Sequence, residues 1–144
     1  MVGTLIARTL ANIREGRMQK LLAAATAFSA PPLPLEIYLE HYKGSFGDKW
    51  MWTPIWLTPP LTAAGIAGVF SPRAARTVLP LFGALYALDG LIGVYTHFRG
   101  VEKRPGGFDE AHYNLVMGPP LLAPGSLAMV GAMGVLAGIV KRER

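Results

Sequence analysis

The sequence predicts an all-α integral membrane protein in which a short amphipathic helix precedes four transmembrane helices. Apolar residues make up 51% of the 144 residues and charged residues only 16%, whereas a soluble domain averages about 25% charged residues. The charges are grouped in short clusters along the chain. Between the clusters lie apolar stretches near the length of about 20 residues that a helix needs to cross a bilayer.

Residues 1–19 are interpreted as an amphipathic segment at the membrane interface. Within residues 2–17, apolar side chains recur at helical spacing, while arginine and asparagine occupy the rest of the turn. This pattern is typical of helices that lie in the plane of the interface. A cleavable signal peptide is the alternative, because Ala25-Thr26-Ala27 resembles a processing site. The apolar core before that tripeptide covers only residues 21–24, which is shorter than such signals normally use.

Residues 20–144 are predicted to form one transmembrane domain. Every predicted span contains proline, and a proline inside a membrane helix frees a backbone carbonyl that a neighbouring group must bind. We therefore expect the spans to pack against one another or against partner subunits. The four spans are predicted at about 20–42, 50–70, 77–98 and 113–140.

Small and aromatic residues support this arrangement of spans. Trp50, Trp52 and Trp56 begin the second span, where an interfacial aromatic belt is expected. Glycines in the third and fourth spans permit two helices to approach closely. These glycines are Gly83, Gly90, Gly93, Gly131, Gly134 and Gly138.

Basic residues indicate the direction in which the chain crosses the membrane. Nine Lys and Arg residues lie in the N-terminal segment, the second loop and the tail, against five in the first and third loops. The positive-inside rule predicts a multi-pass protein of a cell inner membrane with both termini in the cytoplasm. Because this topology explains the net charge of +5, no nucleic-acid partner is expected. The chain has no cysteine, which excludes disulfides and thiolate sites.

A shared pattern in the two halves of the domain predicts an internal repeat. His41-Tyr42-Lys43-Gly44 closes the first span and His97-Phe98-Arg99-Gly100 closes the third, and both read His-aromatic-basic-Gly. Pro59-Pro60-Leu61 in the second span matches Pro119-Pro120-Leu121 in the fourth. We therefore predict a tandem repeat of two helical hairpins related by an axis along the membrane normal. Coincidence between helices of similar composition is the alternative. The two copies cover about 20–70 and 76–140.

His41 and His97 are the predicted ligands of a haem or a metal ion near the outer face. Imidazole is the commonest transition-metal ligand and a frequent axial ligand of haem iron. Two histidines at the ends of different helices suit one haem b, with Lys43 and Arg99 near its propionates. Histidines that are solvated or bonded to loop carbonyls are the plainer interpretation. A transition-metal site is the alternative to haem, with the ligand set His41, His97, His112 and Glu40.

Asp89 is predicted to lie midway along the third span, where a charged carboxylate is costly unless it is paired or protonated. Together with Glu36 of the first span, it is a candidate proton or ion site. The spacing of Asp89, Gly93 and His97 predicts a short polar track along one face of the helix. The structural alternative is a protonated Asp89 bonded to carbonyls that nearby prolines free.

The expected function is that of a small subunit of a larger membrane complex, redox or respiratory in kind. Its expected partners are the lipid bilayer and other membrane subunits or further copies of the chain. The alternative is a component of a homo-oligomeric transporter or channel that uses Asp89. No nucleophile with a general acid or base in reach is evident, so no independent catalytic activity is expected.

Overall fold

The computed structural model describes residues 2–15 and 17–142, and all regular structure in these residues is helical. The all-α fold class is therefore confirmed. The side chains of Ile13 and Arg14 and the whole of Arg144, which belong to the predicted amphipathic face and basic clusters, lie outside the described part. The helices are α1 (Val2–Arg14), α2 (Arg17–Ser29), α3 (Pro32–Lys43), α4 (Thr53–Phe70), α5 (Pro72–Arg76), α6 (Val78–Glu102), α7 (Ala111–Met117) and α8 (Leu122–Ile139), with a 3₁₀ turn at Lys49–Trp52.

The predicted first span is divided into two helices at its prolines. α2 ends at Ser29, and α3 begins at Pro32, in the first turn of a helix, where proline is tolerated. Pro31 and Pro32 have no backbone N–H, so neither can continue the hydrogen-bond ladder of α2. The predicted first span is therefore a pair of short helices interrupted at residues 30 and 31.

The two Pro-Pro pairs of the predicted repeat lie in different structures. Pro59 and Pro60 lie inside α4, which continues unbroken from Thr53 to Phe70. Pro119 and Pro120 instead lie in the irregular stretch that separates α7 from α8. The first copy is thus broken in its first helix and the second copy in its second helix. The duplication itself stays a prediction.

Four helical segments form a closed bundle. α6 packs along α8, α2 packs against α4 and α8, and α4 packs against α6. The ring is therefore α2–α4–α6–α8, and α3 continues α2 toward one end of it. Its centre is filled by buried side chains, which include Leu61, Leu79, Tyr86 and Leu127.

Glycines set the close approach of α6 and α8. A Cβ atom at Gly90 would lie 2.4 Å from the backbone nitrogen of Ala128, and one at Gly131 would lie 2.4 Å from that of Ala87. A Cβ at Gly83 would lie 2.7 Å from the carbonyl oxygen of Gly131. Any larger residue at these positions would force the helices apart, so the structure confirms the expected close packing.

At one end of the bundle, long polar side chains form hydrogen bonds between helices. We call this end the basic end. The Gln19 amide nitrogen donates to the carbonyl oxygens of Ala137 (2.8 Å) and Val140 (3.2 Å) at the end of α8. The Arg142 guanidinium donates to those of Gly68 (2.8 Å) and Val69 (2.5 Å) at the end of α4. Helix C-termini leave carbonyl groups without intrahelical partners, and these side chains bind them. The basic end comprises Arg17, Lys20, Arg73, Arg76, Lys141 and Arg142.

Among the described residues, two helical stretches are long and apolar enough to cross a membrane, namely Pro72–Glu102 and Leu122–Ile139. They match the predicted third span and the latter part of the predicted fourth. The first predicted span falls short because it is divided into helices of 13 and 12 residues. α4 has 18 residues, but its three prolines and three threonines lower its hydropathy. The structure thus supports two candidate spans where the sequence predicts four.

Candidate functional site

The C-terminal parts of α3 and α6 bring His41 and His97 together at the end of the bundle opposite the basic end. Their ring centroids are 6.3 Å apart and the ring planes are nearly perpendicular, at 85°. Both side chains are half-buried. The packing of the bundle therefore brings together two histidines that are 56 residues apart in the chain. We call this end, with His41, His97 and the aromatic rings around them, the histidine end.

The His97 ring is oriented by the backbone carbonyl of Pro120. Its Nδ1 lies 2.8 Å from the carbonyl oxygen of Pro120, in the irregular stretch before α8. A carbonyl oxygen only accepts, so Nδ1 carries the proton of this hydrogen bond. In this tautomer the nitrogen that can act as a ligand is Nε2. Metal-ligating histidines are commonly oriented in this way, through a hydrogen bond from the other ring nitrogen.

His41 is enclosed by an aromatic cluster. Its Nδ1 is buried, and the backbone of Met51 lies within interaction range of the ring. The Phe46 ring lies 5.9 Å from the His41 ring, and it stacks on Trp52 at 4.1 Å with an interplanar angle of 17°. Tyr38 contacts both Phe46 and Trp52. An aromatic side chain that the sequence did not single out for this role therefore lies beside His41.

An unusual backbone turn places Phe46 over His41. Ser45 and Phe46 both have positive φ, at 58° and 46°. The left-handed conformation costs roughly 1–2 kcal/mol per non-glycine residue. The turn is held by two hydrogen bonds, from the Phe46 backbone nitrogen to the His41 carbonyl (3.0 Å) and from the Ser45 nitrogen to the Tyr42 carbonyl (2.9 Å). Strained backbone of this kind is concentrated at functional sites.

The other predicted ligands do not join the histidine pair. His112 is exposed on α7. Glu40 accepts a hydrogen bond from Lys43 at 2.5 Å, and Arg99 pairs with Glu102 on its own helix. The hydrogen bond and the charge of Glu40 raise the pKa of Lys43. Both cations proposed for haem propionates therefore already have acidic partners. The described residues contain no group of three or more His, Asp or Glu side chains that could hold a metal ion.

Asp89 faces α4. The Thr53 hydroxyl lies 2.5 Å from Asp89 Oδ1 and 2.7 Å from the carbonyl oxygen of Trp50. Thr53 is the first residue of α4, where the helix macrodipole favours a negative charge. The partner of Asp89 is thus a hydroxyl at a helix N-terminus and not a carbonyl freed by proline.

The predicted polar track along α6 changes neighbours along its length. Asp89 contacts α4, whereas a Cβ at Gly93 would lie 2.7 Å from Pro124 Cβ in α8. His97 contacts Pro120 before α8. Positions four apart rotate by about 40° around a helix, so these three residues turn from one neighbouring helix toward another. Glu36, the second predicted carboxylate, is exposed on α3.

A polar contact between α4 and α6 that sequence reasoning missed lies near Asp89. Tyr86 is fully buried, and its hydroxyl lies 2.9 Å from that of Thr58. Thr58 donates to the Pro54 carbonyl at 2.7 Å, so Tyr86 is the donor in their shared hydrogen bond. In the sequence, the only indication of this α4–α6 contact was that Tyr86 lies one helical turn before Asp89.

Asn114 anchors the loop that follows α6. Its amide nitrogen donates to the carbonyl oxygens of Pro105 (2.9 Å) and Gly107 (2.8 Å). Its oxygen accepts from Arg104 Nε at 3.2 Å. Asn114 is 1% exposed, so these bonds replace solvent for a buried amide. Nothing in the local sequence pattern distinguished this asparagine.

No protein-family model matches this chain, and comparison with curated proteins and with solved structures found no significant match.

Proposed function

We propose that this chain is a multi-pass protein of a cell inner membrane and a small subunit of a larger redox or respiratory membrane complex. In this proposal α2–α3, α4, α6 and α8 are four spans, and His41 and His97 bind a haem or a transition metal ion near the outer face. The observation that carries the proposal is the meeting of two histidines at one end of a bundle whose outer surface is apolar.

The outward-facing side chains support membrane insertion. Only 22% of the most apolar part of Pro72–Glu102 and 33% of Leu122–Ile139 are buried in the bundle. A core helix of a soluble protein would be mostly buried, and soluble monomers rarely expose large continuous apolar patches. α6 has 25 residues and is therefore roughly 37 Å long, more than the hydrocarbon core of about 30 Å. Exposed large apolar side chains on the bundle include Phe28, Trp56, Ile66, Phe70, Leu88, Ile92, Leu122, Met129 and Ile139.

The separation of the bundle ends supports four crossings with both termini in the cytoplasm. Lys20, Arg73, Arg76 and Lys141 are exposed at the basic end. At the histidine end, Lys43 and Arg99 are neutralised by Glu40 and Glu102. This asymmetry is what the positive-inside rule expects of a cytoplasmic and an outer side. The break between α2 and α3 leaves Pro31 and Pro32 exposed, so this proposal requires a partner subunit to cover them in the membrane.

The histidine geometry supports a two-ligand site. Two imidazoles bound to one metal ion through nitrogens at about 2.0–2.1 Å place their ring centroids roughly 5–6.5 Å apart. The observed 6.3 Å lies in this range. Haem iron needs no more than two axial protein ligands, so the absence of a third ligand in the described residues favours haem over a metal site built by this chain alone. A free metal ion would take its remaining ligands from a partner subunit.

The test is an absorption spectrum of the purified protein, oxidised and dithionite-reduced, together with metal analysis. We expect sharp reduced haem bands, or bound metal at one equivalent per chain, in the wild type. His41→Ala and His97→Ala should each abolish the signal. His112→Ala is the matched control and should retain it, because His112 is exposed and away from the pair. A colourless, metal-free wild type, or equal loss in all three variants, would contradict the site.

The second candidate is a homo-oligomeric transporter or channel that moves protons or ions through Asp89, with Glu36 facing a neighbouring copy. The half-buried carboxyl of Asp89 between α4 and α6 supports it. In this case Asp89→Asn should abolish flux in proteoliposomes. Thr53→Val, which removes only the hydroxyl partner, should reduce it partially. Flux that Asp89→Asn leaves unchanged would exclude this candidate.

A further inference from the structure

α1 has an apolar face that the bundle does not cover. Val2, Leu5, Ile6 and Leu10 are between 51% and 70% exposed. All residues from 2 to 11 are exposed, and the main contacts of α1 are with α2. A helix of this length is marginal in water on its own. Its apolar face therefore needs another surface to lie on.

The charges around α1 indicate the chemistry of that surface. Within residues 2–20, 71–76 and 141–142, Glu15 is the single acidic residue, and it forms an ion pair with Arg17. The other charged side chains of these segments are basic, so the surface that they complement is anionic. The exposed cations described here are Arg8, Arg17, Lys20, Arg73, Arg76 and Lys141.

The placement of α1 favours a lipid surface over a soluble acidic partner. α1 ends at Arg14 and α2 begins at Arg17, so α1 is tethered at the basic end. Helical spacing places Arg8 on the side of α1 away from Val2 and Ile6. Basic residues occupy this polar side in helices that lie in a membrane interface. A bundle that spans the bilayer would hold this helix at the depth of the lipid headgroups.

We propose that α1 is an in-plane anchor that binds the anionic phospholipids of the cytoplasmic leaflet. Its apolar face enters the boundary of the acyl chains, while Arg8 and the cations of the basic end contact phosphate groups. Anionic headgroups attract juxtamembrane basic clusters. This inference rests on the proposed membrane-spanning bundle.

The experiment is hydrogen exchange of the full chain in nanodiscs, followed by mass spectrometry of peptides that cover residues 2–14. Phosphatidylcholine alone is compared with a mixture of phosphatidylcholine and phosphatidylglycerol. We expect exchange of these amides to slow by about tenfold in the anionic mixture, and high salt to remove most of that gain because it screens exposed charges. Ile6→Asp on the apolar face should abolish the protection. Ala7→Asp, the neighbouring control with the same charge change, should retain most of it.

The outcomes separate this inference from the function on which it rests. Extraction of the protein from native membranes by alkaline carbonate would refute the spanning bundle itself. If the protein resists extraction but α1 exchanges in both lipids as fast as in the Ile6→Asp variant, the anchor alone is refuted. If α1 exchanges slowly in both lipids and to the same extent, recognition of anionic lipid is refuted. Protection that appears only in the presence of an acidic partner protein would also overturn the proposal.

Discussion

The basic end and the histidine end of the bundle differ in their hydrogen bonds and in their backbone conformation. At the basic end, Gln19 and Arg142 reach across the bundle and bind carbonyl groups where α8 and α4 stop. At the histidine end, His41 Nδ1 is buried, as Gln19 Oε1 is at the basic end, but here the backbone at Ser45 and Phe46 is left-handed. Unsatisfied groups and strained backbone tend to persist where function requires them. The strained turn is therefore the feature that distinguishes the histidine end, where we propose a binding site.

The charges of the two ends differ in the same sense. Lys43 and Arg99 at the histidine end pair with acids three residues away on their own helices. At the basic end, Lys20, Arg73 and Lys141 are exposed, and the described segments offer almost no acidic residue to neutralise them. In the proposed topology, the positive-inside rule places the basic end in the cytoplasm, because the histidine end, which also exposes Lys49 and Lys103, has more acidic residues to balance its cations.

The largest expected effect comes from releasing the basic end. Arg142→Met removes two hydrogen bonds to the Gly68 and Val69 carbonyls and should lower the free energy of unfolding by about 3 kcal/mol. Denaturant titration in detergent measures this change. Lys141→Met is the matched control and should stay within about 0.5 kcal/mol of the wild type, because Lys141 is exposed. Equal effects of the two substitutions would refute the fastening role.

An intermediate effect is expected at the loop beside the histidine end. Asn114→Ala removes the bonds to Pro105, Gly107 and Arg104 and should destabilise the loop by about 2 kcal/mol. Hydrogen exchange should therefore accelerate in residues 103–110, while the α6–α8 interface stays protected. His112→Ala, on the same short helix but exposed, should leave the exchange unchanged. Exchange that accelerates throughout the bundle would show that the loop is not an independent unit.

The smallest expected effect is a gain in stability from relieving strain. Ser45 has a φ of 58°, which glycine adopts without steric cost, so Ser45→Gly should stabilise the protein by about 1 kcal/mol. Ser45→Ala keeps the Cβ atom and should not stabilise it. Thermal unfolding in detergent compares the two variants. A destabilised Ser45→Gly variant would mean that the turn is not strained in the native protein.

The sequence predicted features that depend on local chemistry. Helical structure follows from apolar stretches between charged clusters. The break before Pro32 is explained only afterwards, by the missing N–H groups of consecutive prolines. The matched motifs around His41 and His97 placed these histidines at equivalent helix ends, and the structure brings them together. Whether a haem or a metal ion binds there stays a prediction.

Features that depend on long-range packing were not predictable in this way. The Tyr86–Thr58 pair forms only where α4 and α6 meet. The position of Phe46 over His41 depends on a left-handed turn that sequence pattern does not reveal. The same Pro-Pro dipeptide is helical at Pro59 and irregular at Pro119, because neighbouring elements decide which conformation is kept.

The most direct test of the membrane account is cysteine accessibility, for which a chain without native cysteine is well suited. Single variants Gly47→Cys, Asp109→Cys and Ala74→Cys would be labelled in intact cells with a membrane-impermeant maleimide, before and after permeabilisation. Four spans predict that Gly47→Cys and Asp109→Cys are labelled from outside and that Ala74→Cys is labelled only after permeabilisation. If Gly47→Cys also required permeabilisation, α2–α3 and α4 would not cross the membrane, and the four-span account would be contradicted.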